Sequence, residues 1–175
     1  MSVSVTSVFP LTWEDLPRET AGPRMELIDG SLHVTPLGDL RHQRLIMTVA
    51  QGLAGLAPAG WVVLPGANVL RRGATDRLLI PDVVVLAEDA VAAGGVYADP
   101  SDVLLVVEVE CPSTRSVDRL LKRDLYAQWR ISDYWVLDPE VRALTRLVLG
   151  PDRSYAPGRG SADWLAAYDE GGLWP

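Results

Sequence analysis

Three side chains in this sequence are of the types that metal-assisted phosphate chemistry uses, and each stands in an unusual place. Asp82 directly follows Pro81 at the mouth of the β-branched run "VVVL". Glu108 interrupts the apolar run "DVLLVVEVE". Lys122 is the only lysine among 16 basic residues, the other fifteen being arginine. Two carboxylates can hold Mg²⁺, a hard cation that favours oxygen ligands and keeps several waters. Such an ion lowers the pKa of its water and neutralises the oxygens of an in-line displacement. A compact ammonium beside it can steer a water or steady charge growing on a phosphate, work for which a planar guanidinium is less suited.

Each of the three also has a plainer reading. Side chains alternate faces along a strand, so Leu104, Val106, Glu108 and Glu110 share one face of the 102–110 run. A strand apolar on both faces is usually central and covered. A carboxylate buried there costs several kcal/mol (order of magnitude) unless a cation or donors compensate. Glu108 is therefore either paired or a ligand, or else the strand is already emerging into solvent before "CPST". Asp82 is equally at home as a turn acid at the start of a strand. In "STRSVDRLLKRDLYAQWR", Asp118, Lys122 and Tyr126 follow at i, i+4 and i+8 and share a helical face. They form either a surface ion pair with a tyrosine on the lysine stem or a set that aims the lysine. One lysine must fall somewhere, so its neighbours decide its meaning.

The elements that would position these groups are legible in outline. "LTWEDL" reads as a short opening helix with Thr12 as N-cap. "RMELIDGSLHV" reads as a hairpin turning at Asp29-Gly30. Leu45, Ile46, Val49, Leu53 and Leu56 fall on one face, which predicts an amphipathic helix over 39–57 closed by Pro58 and Gly60. "GWVVLPGANVLRR" and "RLLIPDVVVLAE" are extended, and "DAVAAGGVYADPS" is a loop broken at Gly94-Gly95 and Pro100. After the strand at 102–110, Pro112 stops it and Ser113 or Thr114 can cap the helix that carries Lys122. "DYWVLDP" and "VRALTRLVL" are two further strands, followed by a Gly- and Pro-rich irregular tail over 150–175 with a late short helix. Grouped strands between only two long helices predict an α/β (α+β) domain with a mixed sheet.

Composition narrows the function classes. A chain of 175 residues, 48% hydrophobic, suits a single domain with a real core. No apolar run reaches the roughly 18 to 20 residues of a membrane span, and the N-terminus is read as carrying no secretion signal. The lone Cys111 excludes an internal disulfide and points to a reduced, cytoplasmic setting; with two histidines it cannot build a usual zinc site. The net charge of −7 argues against a strongly basic nucleic-acid footprint. The charge is unevenly spread, however. Residues 81–114 hold seven acids and no base, and residues 115–130 hold five bases and two acids. That junction suits either a mixed solvated surface or a site needing carboxylates and a cation together.

The stretches "MELIDGSLHVTP", "RHQR", "PDVVVL" and "VVEVECPSTRSVDRLLKRDLYAQWRISDYWVLDPE", in this order, resemble the bacterial restriction endonuclease family known as the Uma group, within the PD-(D/E)XK nuclease superfamily. The resemblance spans roughly 12–148 and is densest over 104–140. It implies a restriction-endonuclease-like core, a mixed sheet flanked by helices, with extra N-terminal and C-terminal strands. It implies that Pro81-Asp82 is the "PD", that Glu108 is the acid of the second element, and that Lys122 supplies the lysine. Glu110 stands where standard superfamily members keep that lysine, a departure from the pattern. Glu26 and His42 align with residues the family favours, and each is equally explained by capping or solvation. Glu110 is a third metal-shell acid or a solvated residue at the strand's end. Cys111 stands where the family more often has serine, and a small, partly buried residue is expected there.

The implied activity is Mg²⁺- or Mn²⁺-dependent hydrolysis of nucleic-acid phosphodiesters, DNA before RNA, with Asp82, Glu108 and the Val109 carbonyl on the metal. Phosphate contacts would come from Arg41, Arg44, Arg71, Arg72, Arg77, Arg115, Arg119 and Arg123, the last three forming a helical stripe. A homodimer would suit the cutting of two strands. The alternative is a catalytically silent nuclease fold used for protein interaction or nucleic-acid binding. A weaker one is a hydrolase of small phosphate compounds.

Overall fold

The computed structural model describes residues 3–5, 10–16, 24–35, 38–73, 75–111 and 117–174, with the side chains of 3–5 and 117–119 outside that description. Two sheets form. Strands β1 (Val3–Val5), β2 (Arg24–Ile28), β3 (Ser31–Thr35), β5 (Val69–Arg71) and β6 (Arg77–Leu79) make an antiparallel five-stranded sheet in the order β1-β3-β2-β6-β5. Strands β4 (Trp61–Pro65), β7 (Val83–Ala87), β8 (Val103–Val109), β9 (Asp133–Asp138), β10 (Ala143–Leu149) and β11 (Tyr155–Pro157) make the larger sheet, in the order β11-β10-β9-β8-β7-β4. Only β8 and β9 run parallel among the pairs of this sheet, which makes it mixed. The hairpin β2–β3 turns at Asp29 and Gly30, both at positive φ, as the Asp-Gly dipeptide predicts.

Helix α1 (Leu40–Leu56) is capped by the Asp39 carboxylate, which accepts from the His42 backbone N–H at 2.9 Å. Its residues Leu45, Ile46, Val49 and Leu53 are buried against one face of the larger sheet, on Val83, Val85, Leu105, Val107 and Val109. Leu56, expected on that face, is the last residue of the helix and is exposed. The opposite face carries Val84, Leu86, Val103 and Val106 and is covered by Leu125, Tyr126 and Trp129, from and just after helix α3 (Arg123–Gln128). β8 is thus sandwiched on both sides, as its uninterrupted apolar run requires. A third cluster, with Trp13 and Leu16 on Leu27, Leu70 and Leu78, closes the smaller sheet.

Three local features differ from the sequence expectation. The opening helix is a single 3₁₀ turn, Trp13–Asp15, with Thr12 at its N-cap position, where the Thr12 N–H and hydroxyl both donate to the Asp15 carboxylate at 2.8 Å. The expected loop after β7 begins with a short helix, α2 (Glu88–Ala92), whose first-turn acids suit a helix N-terminus. The helix expected over 113–130 is not uniform, because Val117–Lys122 form a wide π turn before α3 begins. Residues 112–116, with the capping candidates Ser113 and Thr114, lie outside the described residues. Within the tail, β11 and a short helix α4 (Asp163–Ala166) form, and Leu165, Tyr168 and Leu173 pack onto the α1 side of the core. The Arg146 guanidinium stacks over Trp135 and Tyr168 and donates to the Tyr168 carbonyl at 2.8 Å, pinning that tail down.

Candidate active site

Acidic groups from three strands converge between the two sheets. Alternation along β2 sends Arg24 and Glu26 to one face, towards β6 and the start of β7. Asp82 sits just before β7, and Glu108 lies on the face of β8 that also carries Val106. Glu26, Asp82 and Glu108 are all nearly inaccessible, at 4%, 3% and 2% exposure. Glu108 is therefore buried, and the reading in which β8 has already emerged into solvent is excluded. Carboxylates so far from water persist only when cations and donors surround them.

Those partners are specific. Lys122 is buried and its Nζ lies 2.9 Å from Glu26 Oε1 and 3.2 Å from Glu108 Oε1. The Tyr126 hydroxyl donates to the same Glu108 oxygen at 2.7 Å. The Ile80 N–H donates to Glu26 Oε1 at 2.9 Å, and the Val109 N–H donates to Asp82 Oδ2 at 2.7 Å. Burial, and then the Glu108 and Glu26 charges, push the Tyr126 phenol well above its usual range, so it stays a donor. The sequence reading offered a surface ion pair with a tyrosine lying on the lysine stem. Both residues are instead interior, and the tyrosine fixes the carboxylate rather than the lysine.

The sequence reading missed Arg24. Its Nη1 lies 2.5 Å from Asp82 Oδ1, and its Nη2 lies 3.9 Å from Glu108 Oε2. Burial alone would depress the guanidinium's pKa, but Asp82, Glu108 and Glu26 outweigh that and hold it above its usual value. A signal was present in the sequence: an arginine two residues before Glu26 on the same strand must share its face. His42, one turn into α1, brings Nε2 to 3.5 Å from Asp82 Oδ2. Its ring is accommodated by Gly38, where a Cβ atom would come within 2.3 Å of Nδ1.

Of the residues singled out from sequence, the fold brings together Glu26, His42, Asp82, Glu108, Lys122 and Tyr126. The Asp118 side chain lies outside the described residues. Val109 approaches through its N–H. Glu110 is 1% exposed, which overturns its reading as a solvated strand end, and its N–H continues the ladder to the Leu137 carbonyl at 2.8 Å. Cys111 is partly buried, as a small residue at that point should be.

The arginine pool is smaller than the sequence suggested. Arg72 pairs with Glu14 at 2.7 Å, Arg77 with Asp29 at 2.6 Å and Gln128 at 3.0 Å, and Arg123 donates to the Tyr155 carbonyl. The expected stripe loses Arg123 to that contact; Arg115 and the Arg119 side chain lie outside the described residues. Arg41 and Arg44 flank His42 on α1 and are exposed, as is Arg71.

Among the described residues, no three His, Cys, Asp or Glu side chains converge as a ready cation cage. The donor set nevertheless suits a hard divalent ion, because two buried carboxylates share a cation held between them. That cation is the Arg24 guanidinium. Also among these residues, no helix is long and apolar enough to cross a membrane.

A mixed sheet covered on both faces, with acids at the end of its central strands and a lysine from the following helix, defines a restriction-endonuclease-like fold. The chain resembles the crystal structure of a "putative nuclease belonging to DUF820" from Anabaena variabilis ATCC 29413, with TM-score 0.66 and 14% identity over 90% of this chain and 92% of that one. Residues 11–166 match the family model described as "Putative restriction endonuclease", and the chain belongs to that family. A search of the curated proteins returned no match. The family description implies nucleic acid as the substrate class.

Proposed function

We propose that this protein is a Mg²⁺-dependent endonuclease that hydrolyses phosphodiester bonds, with DNA as the favoured substrate. The observation that carries the reading is the buried cluster in which Glu26 and Glu108 meet at Lys122 while Asp82 and Glu108 meet at Arg24, in a nuclease-like fold. Asp82 and Glu108 would hold the ion, with the Val109 carbonyl as a further ligand. When bound, Mg²⁺ (or Mn²⁺) would polarise the phosphate and lower the pKa of a water. Lys122, held by Glu26 and Glu108, directs its ammonium at the attacking water and at charge developing on the phosphate. Tyr126 fixes the rotamer of Glu108, and the Val109 N–H fixes that of Asp82. His42 supports Asp82 through Nε2, Glu110 would be a supporting acid, and Arg41, Arg44 and Arg71 are the exposed cations available to the strand.

With a net charge of −7, binding should be weak and steeply salt-dependent, which a homodimer with two sites would offset. The lone Cys111 supports a cytoplasmic setting. The alternative is a silent nuclease fold that binds nucleic acid or protein. It is favoured by one observation: the Arg24 guanidinium itself bridges the two acids.

The test pairs two assays on the wild type, Asp82→Asn and Glu108→Gln. Thermal unfolding with Mn²⁺ or Mg²⁺ should show stabilisation of about 2.7 kcal/mol at a hundred times Kd for the wild type alone. Supercoiled plasmid, linear duplex and single-stranded oligonucleotides should then be cut by the wild type and spared by both variants. Metal binding with no cleavage of any nucleic acid would leave the silent module as the better account. Cleavage by either variant at the wild-type rate would refute the site.

A further inference from the structure

We propose that Arg24 is the resident cation of this site, and that a divalent ion binds only by expelling its guanidinium from between Asp82 and Glu108. The inference rests on the metal-binding reading above and adds a competitor to it. Each carboxylate has one oxygen already committed elsewhere. Asp82 Oδ2 accepts from the Val109 N–H, and Glu108 Oε1 accepts from Tyr126 and Lys122. The oxygens that face Arg24 are the others, Asp82 Oδ1 at 2.5 Å and Glu108 Oε2 at 3.9 Å. An ion shared by the two residues would need the space that the guanidinium fills between them, so guanidinium and ion exclude one another.

Charge points the same way: exchange of Arg24 for a doubly charged ion adds one positive charge beside the buried Asp82 and Glu108.

The guanidinium is also an imperfect occupant. Arginine offers five donors in a rigid fork that matches a carboxylate bidentately. Here only Nη1 makes a hydrogen bond to the acids, while Nε and Nη2 are buried with no hydrogen-bond partner among the described residues. A buried donor left unsatisfied carries its full desolvation penalty. The side chain hangs from the first residue of β2 and is 19% exposed, so a route to solvent is open to it. Arg24 thus keeps the acids neutralised and the chain folded without metal, and lifts the ion concentration needed to load the site.

Calorimetric titration of Mn²⁺ into metal-free wild type and Arg24→Met tests this without any nucleic acid. The variant should bind at least about tenfold more tightly, a difference of about 1.4 kcal/mol. Should Arg24→Met fail to fold, the Arg24 Nε proton of the wild type decides, followed by NMR with Mg²⁺ and assigned by its loss in the conservative Arg24→Lys. That proton is shielded in the metal-free protein and should exchange rapidly once Mg²⁺ saturates. Equal affinities, or an Nε proton as protected with Mg²⁺ as without, overturn the displacement while leaving the metal site standing. If neither protein binds either ion, the metal-binding reading falls and the displacement falls with it.

Discussion

Replacing Lys122 with Met removes the one buried ammonium between Glu26 and Glu108 while nearly preserving side-chain length. Because the volume change is small, the loss of stability should report charge rather than a cavity. The ammonium lies 2.9 and 3.2 Å from the two carboxylates, and all three groups are at most 4% exposed. Breaking a buried pair by removing one partner typically costs about 3–5 kcal/mol, since the other charge is left uncompensated. An exposed ion pair would cost only about 0–1 kcal/mol. Urea unfolding in chelator, followed by fluorescence and circular dichroism, gives the difference from midpoint and slope. Adding Glu26→Gln to Lys122→Met should recover part of the loss, because glutamine still accepts from the Ile80 N–H without a charge. A loss below about 1 kcal/mol, or a double variant no more stable than the single one, would refute a buried cation at this point.

Three further outcomes are expected. Tyr126→Phe deletes a 2.7 Å hydrogen bond to a buried carboxylate and should cost about 1.5–3 kcal/mol in the same urea assay, with the fold intact by circular dichroism. Alkaline unfolding should set in from about pH 10, because Tyr126 and Tyr155 are both pushed up, chiefly by burial. The folded state keeps protons that the unfolded state releases, so stability is complete below the unfolded tyrosine value and falls as pH rises past it. The slope is at most about 1.4 kcal/mol per pH unit for each tyrosine, and Tyr126→Phe should remove one such contribution. Asp133 has its pKa raised by burial despite hydrogen bonds from the Ser161 N–H and hydroxyl, so its charge opposes folding at neutral pH. Asp133→Asn should therefore melt no lower than the wild type at pH 7 and lose ground to it only as the pH drops.

The strands and α1 were legible because their signals are local: Asp29-Gly30 turns a hairpin, and Leu45, Ile46, Val49 and Leu53 repeat at the helical period. The acids stood out for the opposite reason, being charged residues inside runs that must be covered. The π turn at 117–122 leaves no trace in composition, because a single wide turn is too short to establish a period of its own. Nor could sequence say that Glu110 is interior or that Arg72, Arg77 and Arg123 are already engaged, since those facts depend on residues distant in the chain. Arg24 lay in between: its face could be read, but its partner Asp82 is fifty-eight residues away.

That distance has a kinetic consequence. Glu26 and Arg24 belong to the smaller sheet, and Asp82, Glu108 and Lys122 to the larger sheet and its helix, so the charged cluster exists only after the two sheets meet. Contacts between segments this far apart are the slow ones to form, and ionised groups gain nothing until they are enclosed together. Substitutions at these positions should therefore leave the refolding limb of a chevron almost unchanged and steepen the loss on the unfolding side. The cluster would then act as a late-closing latch, setting how long the native chain survives rather than how fast it is made.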